Sequence, residues 1–147
     1  MVILLLTTGC ASAAGRATKQ GAGCLQLSVE SSLPEGFTIR SNANALGKIL
    51  ARLLSNALKF TEQGRVTVRL SEAGGQLRIE VEDTGIGIPP EHQEKIFERF
   101  YKVDTFKQGI GLGLTVARRT AELLGGTLTL DGSYTAGARF VVAFTCP

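Results

Sequence analysis

The sequence predicts an α+β fold, a two-layer sandwich in which helices cover one face of a mixed, mostly antiparallel sheet. Three observations predict it. Several short segments alternate apolar and polar residues with period two, among them Leu25 to Val29, Val66 to Leu70 and Leu77 to Val81. Two of these flank Gly74-Gly75, which reads as a hairpin turn and demands antiparallel pairing. Between the strands lie segments with apolar residues at helical spacing, and the mixed order of elements does not follow a repeated strand-helix-strand plan. About six strands and four helices account for the chain.

The elements follow in order. Val2, Leu5, Leu6, Cys10, Ala13, Ala14 and Ala17 fall near helical spacing, so an amphipathic first helix is expected over residues 1–22, with Lys19, Gln20 and Gly21 at its end. The run Val2 to Leu6 lacks a basic flank and is too short for a signal peptide or a span of ~18 apolar residues. Strands are expected at Leu25 to Val29 and, after the turn Pro34-Glu35-Gly36, at Phe37 to Arg40. Ser41 or Asn42 caps a helix over about Asn44 to Leu58, whose stripe is Leu46, Ile49, Leu50, Leu53, Leu54, Ala57 and Leu58. The hairpin comes next. Pro89-Pro90 stops its second strand, and Glu91 to Phe100 is expected to be helical, with Ile96, Phe97 and Phe100 on one packing face. Tyr101 to Gln108 shows little periodicity. A helix is expected from Gly109 to about Leu124, ended by Gly125-Gly126, before two last strands at Thr127 to Leu130 and Arg139 to Thr145.

The 147 residues suit a single domain with one core. The net charge of +3 is scattered, without a basic cluster interleaved with aromatics, so a nucleic-acid surface is not indicated. Cys10, Cys24 and Cys146 have no metal-ligand spacing and read as reduced thiols in a reducing compartment.

Asp83-Thr84-Gly85-Ile86-Gly87-Ile88 places a carboxylate at a strand end, followed by two glycines that let a ligand approach the backbone. Such a place suits a flat, hydrogen-bonding ligand, although Asp-Gly turns after strands are common. Gly109, Gly111 and Gly113 open a helix and offer amide groups to an anion. No strand directly precedes them and no Gly-Lys-Ser/Thr comes after them, which excludes a dinucleotide fold and a P-loop. Asn56 reads either as a buried amide or as an oxygen ligand for Mg²⁺, and Lys59 either as a solvated helix-end residue or as a phosphate contact.

In order, the chain carries Asn56-Ala57-Leu58-Lys59-Phe60, Asp83 to Ile88, Phe97-Glu98-Arg99-Phe100 and Gly109-Ile110-Gly111-Leu112-Gly113-Leu114. On these blocks it resembles the ATP-binding catalytic domain of bacterial sensor histidine kinases, within the class that includes DNA gyrase B subunits and mismatch-repair ATPases. The phenylalanine block points to the histidine-kinase branch. The resemblance spans roughly Leu25 to Phe144 and implies the Bergerat-type ATP-binding fold, with ATP and Mg²⁺ as cofactors. It implies that Asn56 ligates Mg²⁺ and Lys59 contacts phosphate. It implies that Asp83 accepts from the adenine amine, with Gly85 and Gly87 admitting the base. Gly109, Gly111 and Gly113 are implied as flexible glycines ending a lid, Lys102 as a lid cation at the γ-phosphate and Tyr101 as a neighbour of the nucleotide. Ile88, Leu112 and Leu114, inside the two glycine blocks, are implied as further nucleotide contacts.

Three departures from the family pattern stand out. Arg52 occupies a position that usually carries Asn or an acid, Gly137-Ala138 lacks the usual hydroxyl, and the lid between Phe100 and Gly109 is short. The lone histidine, His92, lies in a polar Pro-Pro-Glu-His-Gln-Glu setting and reads as a surface residue rather than a phosphoacceptor. The chain is therefore expected to be a monomeric, excised catalytic domain. Its partners are expected to be a histidine-bearing dimerisation domain of the same parent and the receiver domain of a response regulator. A cytoplasmic place is expected, with no membrane contact by this domain, whether or not its parent is anchored. An anti-sigma-factor-type serine kinase and a non-catalytic nucleotide sensor are the alternative readings.

Overall fold

The computed structural model describes residues 2–5, 25–35, 37–101 and 113–145. In chain order the elements are β1 (Val2–Leu5), β2 (Leu25–Ser31), β3 (Thr38–Ser41), α1 (Ala43–Phe60), β4 (Gly64–Ala73), β5 (Gln76–Asp83), α2 (Gly113–Leu123), β6 (Gly126–Leu130) and β7 (Arg139–Thr145). Five strands form one sheet in the order β2-β4-β5-β7-β6, and β1 pairs with β3 in a separate ribbon. Among the described residues only β2 and β4 run parallel; the other pairs are antiparallel, so the sheet is mixed and mostly antiparallel as expected.

Alternation decides which side of the sheet is buried. Val66 and Val68 of β4, Leu77, Ile79 and Val81 of β5, Phe140, Val142 and Phe144 of β7 and Leu128 of β6 form the inner face. Against them α1 lays Leu46, Ile49, Leu53 and Ala57, and α2 lays Ala117 and Ala121. The small side chains of α2 let it sit close to both α1 and β6. Asn42 caps α1, its Oδ1 accepting from the Ala45 N–H at 3.0 Å. No helix among the described residues is long and apolar enough to cross a membrane.

The outer face carries charge where the inner carries hydrocarbon. Glu82, one residue before the end of β5, takes Arg69 of β4 at 2.7 Å and Arg139 of β7 at 2.6 Å. Arg69 also holds Glu30 of β2 at 2.8 Å, and Arg139 holds Asp131 at 3.2 Å. Four strands are thereby tied beside the point where the central strand delivers Asp83.

Two expected helices take another form. Residues 2–5, expected to begin a helix over 1–22, are strand β1, paired antiparallel with β3 from Val2↔Ser41 to Leu5↔Thr38. A four-residue apolar run carries no period that separates a strand from a helix, and an available partner strand decides it. Residues 6–24 lie outside the described residues. The segment 91–100 forms two short 3₁₀ turns, Pro90–His92 and Lys95–Phe97. Its amides bond three residues back, His92 to Pro89 and Glu98 to Lys95, both at 2.9 Å. Neither turn has a side-chain cap, and Gln93 spends its amide on the Ile88 carbonyl at 3.2 Å instead of on helix surface. So short a segment does not repay helix nucleation by itself. Phe97 packs against the core as expected, but Phe100 is 66 % exposed and left-handed at φ 62°, so it is not a packing residue.

Candidate functional site

Asp83 ends the central strand β5 and is 5 % exposed. Its Oδ1 accepts from the Gly85 N–H at 2.9 Å and from the Ala138 N–H at 3.1 Å. Its backbone is pinned as well: the N–H donates to Ala138 O at 2.9 Å, and the carbonyl accepts from the Tyr134 hydroxyl at 2.8 Å. Burial pushes the carboxyl above its ordinary value, opposed by the two backbone donors. Oδ2 has no hydrogen-bond partner among the described residues. The site therefore presents one fixed acceptor oxygen in a largely dry setting. That oxygen discriminates for a donor, because an unpaired group meeting it would stay desolvated.

The loop after Asp83 is clamped from two sides. Thr84 exchanges hydrogen bonds with Arg65, its N–H to Arg65 O at 3.1 Å and its Oγ1 from the Arg65 N–H at 3.0 Å. Gly85 lies against the end of α1, where an added Cβ would stand 2.3 Å from Phe60 O and 2.8 Å from Thr61 Oγ1. The Ile86 N–H points to the same Phe60 carbonyl at 3.4 Å. Gly87 has φ 71° and Ile88 is half-buried against the core. Close approach of backbone to backbone is what these glycines supply.

Arg52, Asn56 and Lys59 stand at i, i+4 and i+7 on α1, on a flank beside the buried stripe. This flank reaches the start of α2. A Cβ at Gly113 would lie 3.7 Å from Arg52 Cδ and 3.8 Å from its Nη1. Arg52 is exposed, and Asn56 and Lys59 are half-buried. Lys59 Nζ also sits 5.6 Å from the centroid of the Phe60 ring. Leu114, the second residue of α2, packs partly against the core. Of the three, Arg52 is the side chain that meets the start of α2, while Asn56 and Lys59 follow it along the same flank of α1.

On the far side of the loop, Tyr101 bonds through its hydroxyl to His92 Nδ1, the rings 5.8 Å apart and tilted by 43°. His92 is thus half-buried and partnered rather than a free surface group. Phe97 meets Phe140 edge-on at 6.3 Å and carries the Arg118 guanidinium 4.8 Å over its ring. The Thr115 hydroxyl, in the first turn of α2, donates to Phe97 O at 2.8 Å. The segment around Phe97 is therefore fastened to α2. Lys102, Gly109, Gly111 and Leu112 lie outside the described residues.

Sequence reasoning missed three partners of Asp83: the Ala138 amide, the Tyr134 hydroxyl and the close contact of Gly137. Local pattern carries no signal for them, since Ala138 is 55 residues away along the chain. Gly137-Ala138 stood out for its missing hydroxyl, but what Ala138 brings to Asp83 is its backbone amide. Among the described residues no three His, Cys, Asp or Glu side chains gather as a metal cluster. A lone amide such as Asn56 fits a hard cation that keeps its waters and takes phosphate oxygens, and does not fit a protein-caged metal.

A helix-backed open sheet whose central strand ends in a buried acceptor, beside a cationic flank, defines an ATP-binding domain of the Bergerat type. Residues 41–147 match the family of histidine kinase-, DNA gyrase B- and HSP90-like ATPases, and the chain belongs to that family. Among curated proteins it is 39 % identical over 129 residues to the aerobic respiration control sensor protein ArcB of Escherichia coli K12, covering 84 % of this chain and 17 % of that protein. It is 40 % identical over 108 residues to the circadian input-output histidine kinase CikA of Synechococcus elongatus, covering 70 % of this chain and 14 % of the relative. The chain thus spans under a fifth of the length of these relatives. Among solved structures, the catalytic domain of histidine kinase ThkA superposes with a TM-score of 0.73 at 27 % identity, covering 83 % of this chain and 79 % of that one. Full-length ShkA in complex with AMPPNP superposes with a TM-score of 0.70 at 34 % identity, covering 86 % of this chain and 26 % of that one.

Proposed function

We propose that this chain binds Mg-ATP and passes its γ-phosphoryl group to a histidine on a separate helical domain of the same parent protein. The observation that carries the reading is Asp83: a buried carboxylate with one oxygen saturated by backbone amides and the other open to a donor. The exocyclic amine of adenine is such a donor. ShkA, with its bound ATP analogue, supports a nucleotide at the same fold. ArcB and CikA, a sensor protein and a histidine kinase by name, favour histidine phosphorylation over the serine-kinase and sensor alternatives.

In this mechanism Asp83 fixes the base. Asn56 would hold Mg²⁺, which neutralises phosphate charge when bound. Lys59 would contact the phosphates, and the family resemblance assigns Lys102, Gly109 and Gly111 to the phosphates as well. The bond from the β,γ-bridging oxygen to Pγ breaks, a bond from an imidazole nitrogen to Pγ forms, and ADP leaves. The domain's contribution is positioning and charge. The receiver domain of a response regulator then takes the phosphoryl group in a cytoplasmic signalling chain. Supplying a helical acceptor domain from the parent protein with ATP should yield an acid-labile phosphohistidine. Intact ATP binding with no phosphohistidine on that acceptor would refute the transfer reading.

In this scheme Arg52, exposed one turn before Asn56 and close to Gly113, would add a cation at the phosphate end. Calorimetric titration of Arg52→Asn with a non-hydrolysable ATP analogue should show Mg²⁺-free affinity lowered about tenfold, the worth of one charge-assisted hydrogen bond. Affinity with Mg²⁺ should fall less. Equal loss under both conditions, or none, would remove Arg52 from the phosphate site.

A further inference from the structure

At the end of the β5–β7 ladder one backbone amide is diverted from its regular partner. The two strands pair antiparallel as far as Glu82↔Arg139, so Asp83 and Ala138 come next in register. The Asp83 N–H does donate to Ala138 O, at 2.9 Å. Residues of such a pair exchange both bonds in a regular antiparallel ladder, so the Ala138 N–H would return one to Asp83 O. It donates instead to the side chain, to Asp83 Oδ1 at 3.1 Å. The carbonyl it leaves is taken by the Tyr134 hydroxyl at 2.8 Å. A buried carbonyl left without a donor is costly, so the diversion needs such a replacement. Tyr134 is itself firmly placed. Asp131 Oδ1 accepts from the Ser133 N–H at 3.0 Å and from its hydroxyl at 2.6 Å, and the Tyr134 N–H donates to Asp131 O at 3.3 Å, which closes the turn. The Arg139 guanidinium lies 4.3 Å from the centroid of the tyrosine ring and is held by Glu82 at 2.6 Å and Asp131 at 3.2 Å. Burial, with the nearby Glu82 and Asp83 charges, pushes the phenol above its ordinary value, so it stays a donor.

We propose that Tyr134 is a positioning residue for base recognition: its hydroxyl stands in for the Ala138 amide at the Asp83 carbonyl and so releases that amide to hold the Asp83 carboxylate. This rests on the adenine reading of Asp83. With two amides on Oδ1 the carboxylate is fixed in rotation, and Oδ2 is the oxygen left to a ligand. Without the hydroxyl, the Ala138 amide returns to the carbonyl and Oδ1 keeps only the Gly85 N–H. One donor lost from the charged form makes the carboxyl harder to ionise and leaves its side-chain torsion looser. The charged and titratable groups around this end of the sheet are Arg65 of β4, Glu82 of β5, Arg139 of β7, Asp131 and Tyr134 of the turn, and Lys59 at the end of α1. Tyr134→Phe leaves every one of those charges in place, so a changed Asp83 titration reports the amide.

The test uses Tyr134→Phe, which keeps the ring beside Arg139 and removes the hydroxyl. In the nucleotide-free wild type, the amide NMR resonances of Gly85 and Ala138 should both follow the Asp83 titration. In Tyr134→Phe the Gly85 amide should still follow it, at higher pH, and the Ala138 amide should not. Calorimetry with a non-hydrolysable ATP analogue should show affinity about three- to tenfold lower near neutral pH, the worth of one hydrogen bond. The loss of affinity on acidification should begin at higher pH than in wild type, and in an Asp83→Asn background Tyr134→Phe should displace no acid limb. Tm should stay near the wild-type value, because the returning amide satisfies the carbonyl. An Ala138 amide that still tracks the carboxyl in Tyr134→Phe overturns the proposal. A uniform loss of affinity at every pH, or a large fall in Tm, also overturns it and marks a packing role. If Asp83→Asn loses affinity while Tyr134→Phe matches wild type, the adenine reading stands and the role of Tyr134 falls. If Asp83→Asn binds as tightly as wild type, the adenine reading falls and base positioning by Tyr134 falls with it.

Discussion

Asp83→Asn binds ATP about 10- to 100-fold more weakly than the wild-type domain, the range expected for losing a hydrogen bond to a charged acceptor. The fold tolerates the change. An asparagine keeps Oδ1 as the acceptor for the Gly85 and Ala138 amides, at 2.9 and 3.1 Å in the wild type. It places an NH₂ where Oδ2 was, and that donor meets the donating amine of adenine. A melting curve without nucleotide should therefore stay put while the calorimetric affinity falls. Unchanged affinity would sink the adenine assignment.

The same carboxylate gives a pH signature. Burial raises its folded pKa above the unfolded value. Protonation is thus favoured in the fold, and the contribution of Asp83 to stability falls as pH rises from the unfolded pKa through the folded one. Ligand binding has the opposite slope, since only the ionised group is a pure acceptor. ATP affinity of the wild type should drop on acidification at a pH above the ordinary aspartate range. Subtracting the Asp83→Asn profile cancels the titration of the phosphates themselves. A difference profile that is flat through this range would place the base elsewhere.

Gly137→Ala should be the most damaging single methyl group in the site. A Cβ there would stand 2.1 Å from Asp83 O, 2.7 Å from its Oδ1 and 2.8 Å from its carbonyl carbon. Two of the three atoms are backbone of the central strand, so no rotamer relieves the overlap. The carbonyl is also held by the Tyr134 hydroxyl at 2.8 Å, and the Asp83 N–H by Ala138 O at 2.9 Å. The loop after Tyr134 must move away, and the second donor to Oδ1 moves with it. Overpacking of this kind costs about 3 kcal/mol or more. For a domain of this size that lowers Tm by about 10 °C. ATP affinity should fall with it, because Asp83 loses its orientation. A variant that melts and binds like wild type would show that the loop has slack the structure does not display.

Much of this molecule was legible without tertiary information, because period-two and period-3.6 patterns are local properties of the chain. The stripe Leu46, Ile49, Leu53 and Ala57 marked the buried side of α1, and the alternation around Gly74-Gly75 marked the β4–β5 hairpin with its inner face. The delivery of Asp83 at a strand end was also written locally, since two glycines and two prolines punctuate the next seven residues of the chain. The four motif blocks sufficed to place the chain in its family. What only the tertiary structure decided depends on pairing across distance. No local period makes β2 parallel to β4, seats β5 between β4 and β7, or recruits residues 2–5 as a partner for β3. The segment after Pro89-Pro90 became 3₁₀ turns because its contacts to Ile88 and α2, not its own helical pattern, were the available stabilisation. The surroundings of Asp83 belong to the same class. Tyr134, Gly137 and Ala138 approach it from more than 50 residues away, and Thr61 from the end of a helix. Sequence named the chemical group, and the packing of distant backbone around it determined that the group is buried, oriented and left with one oxygen to offer.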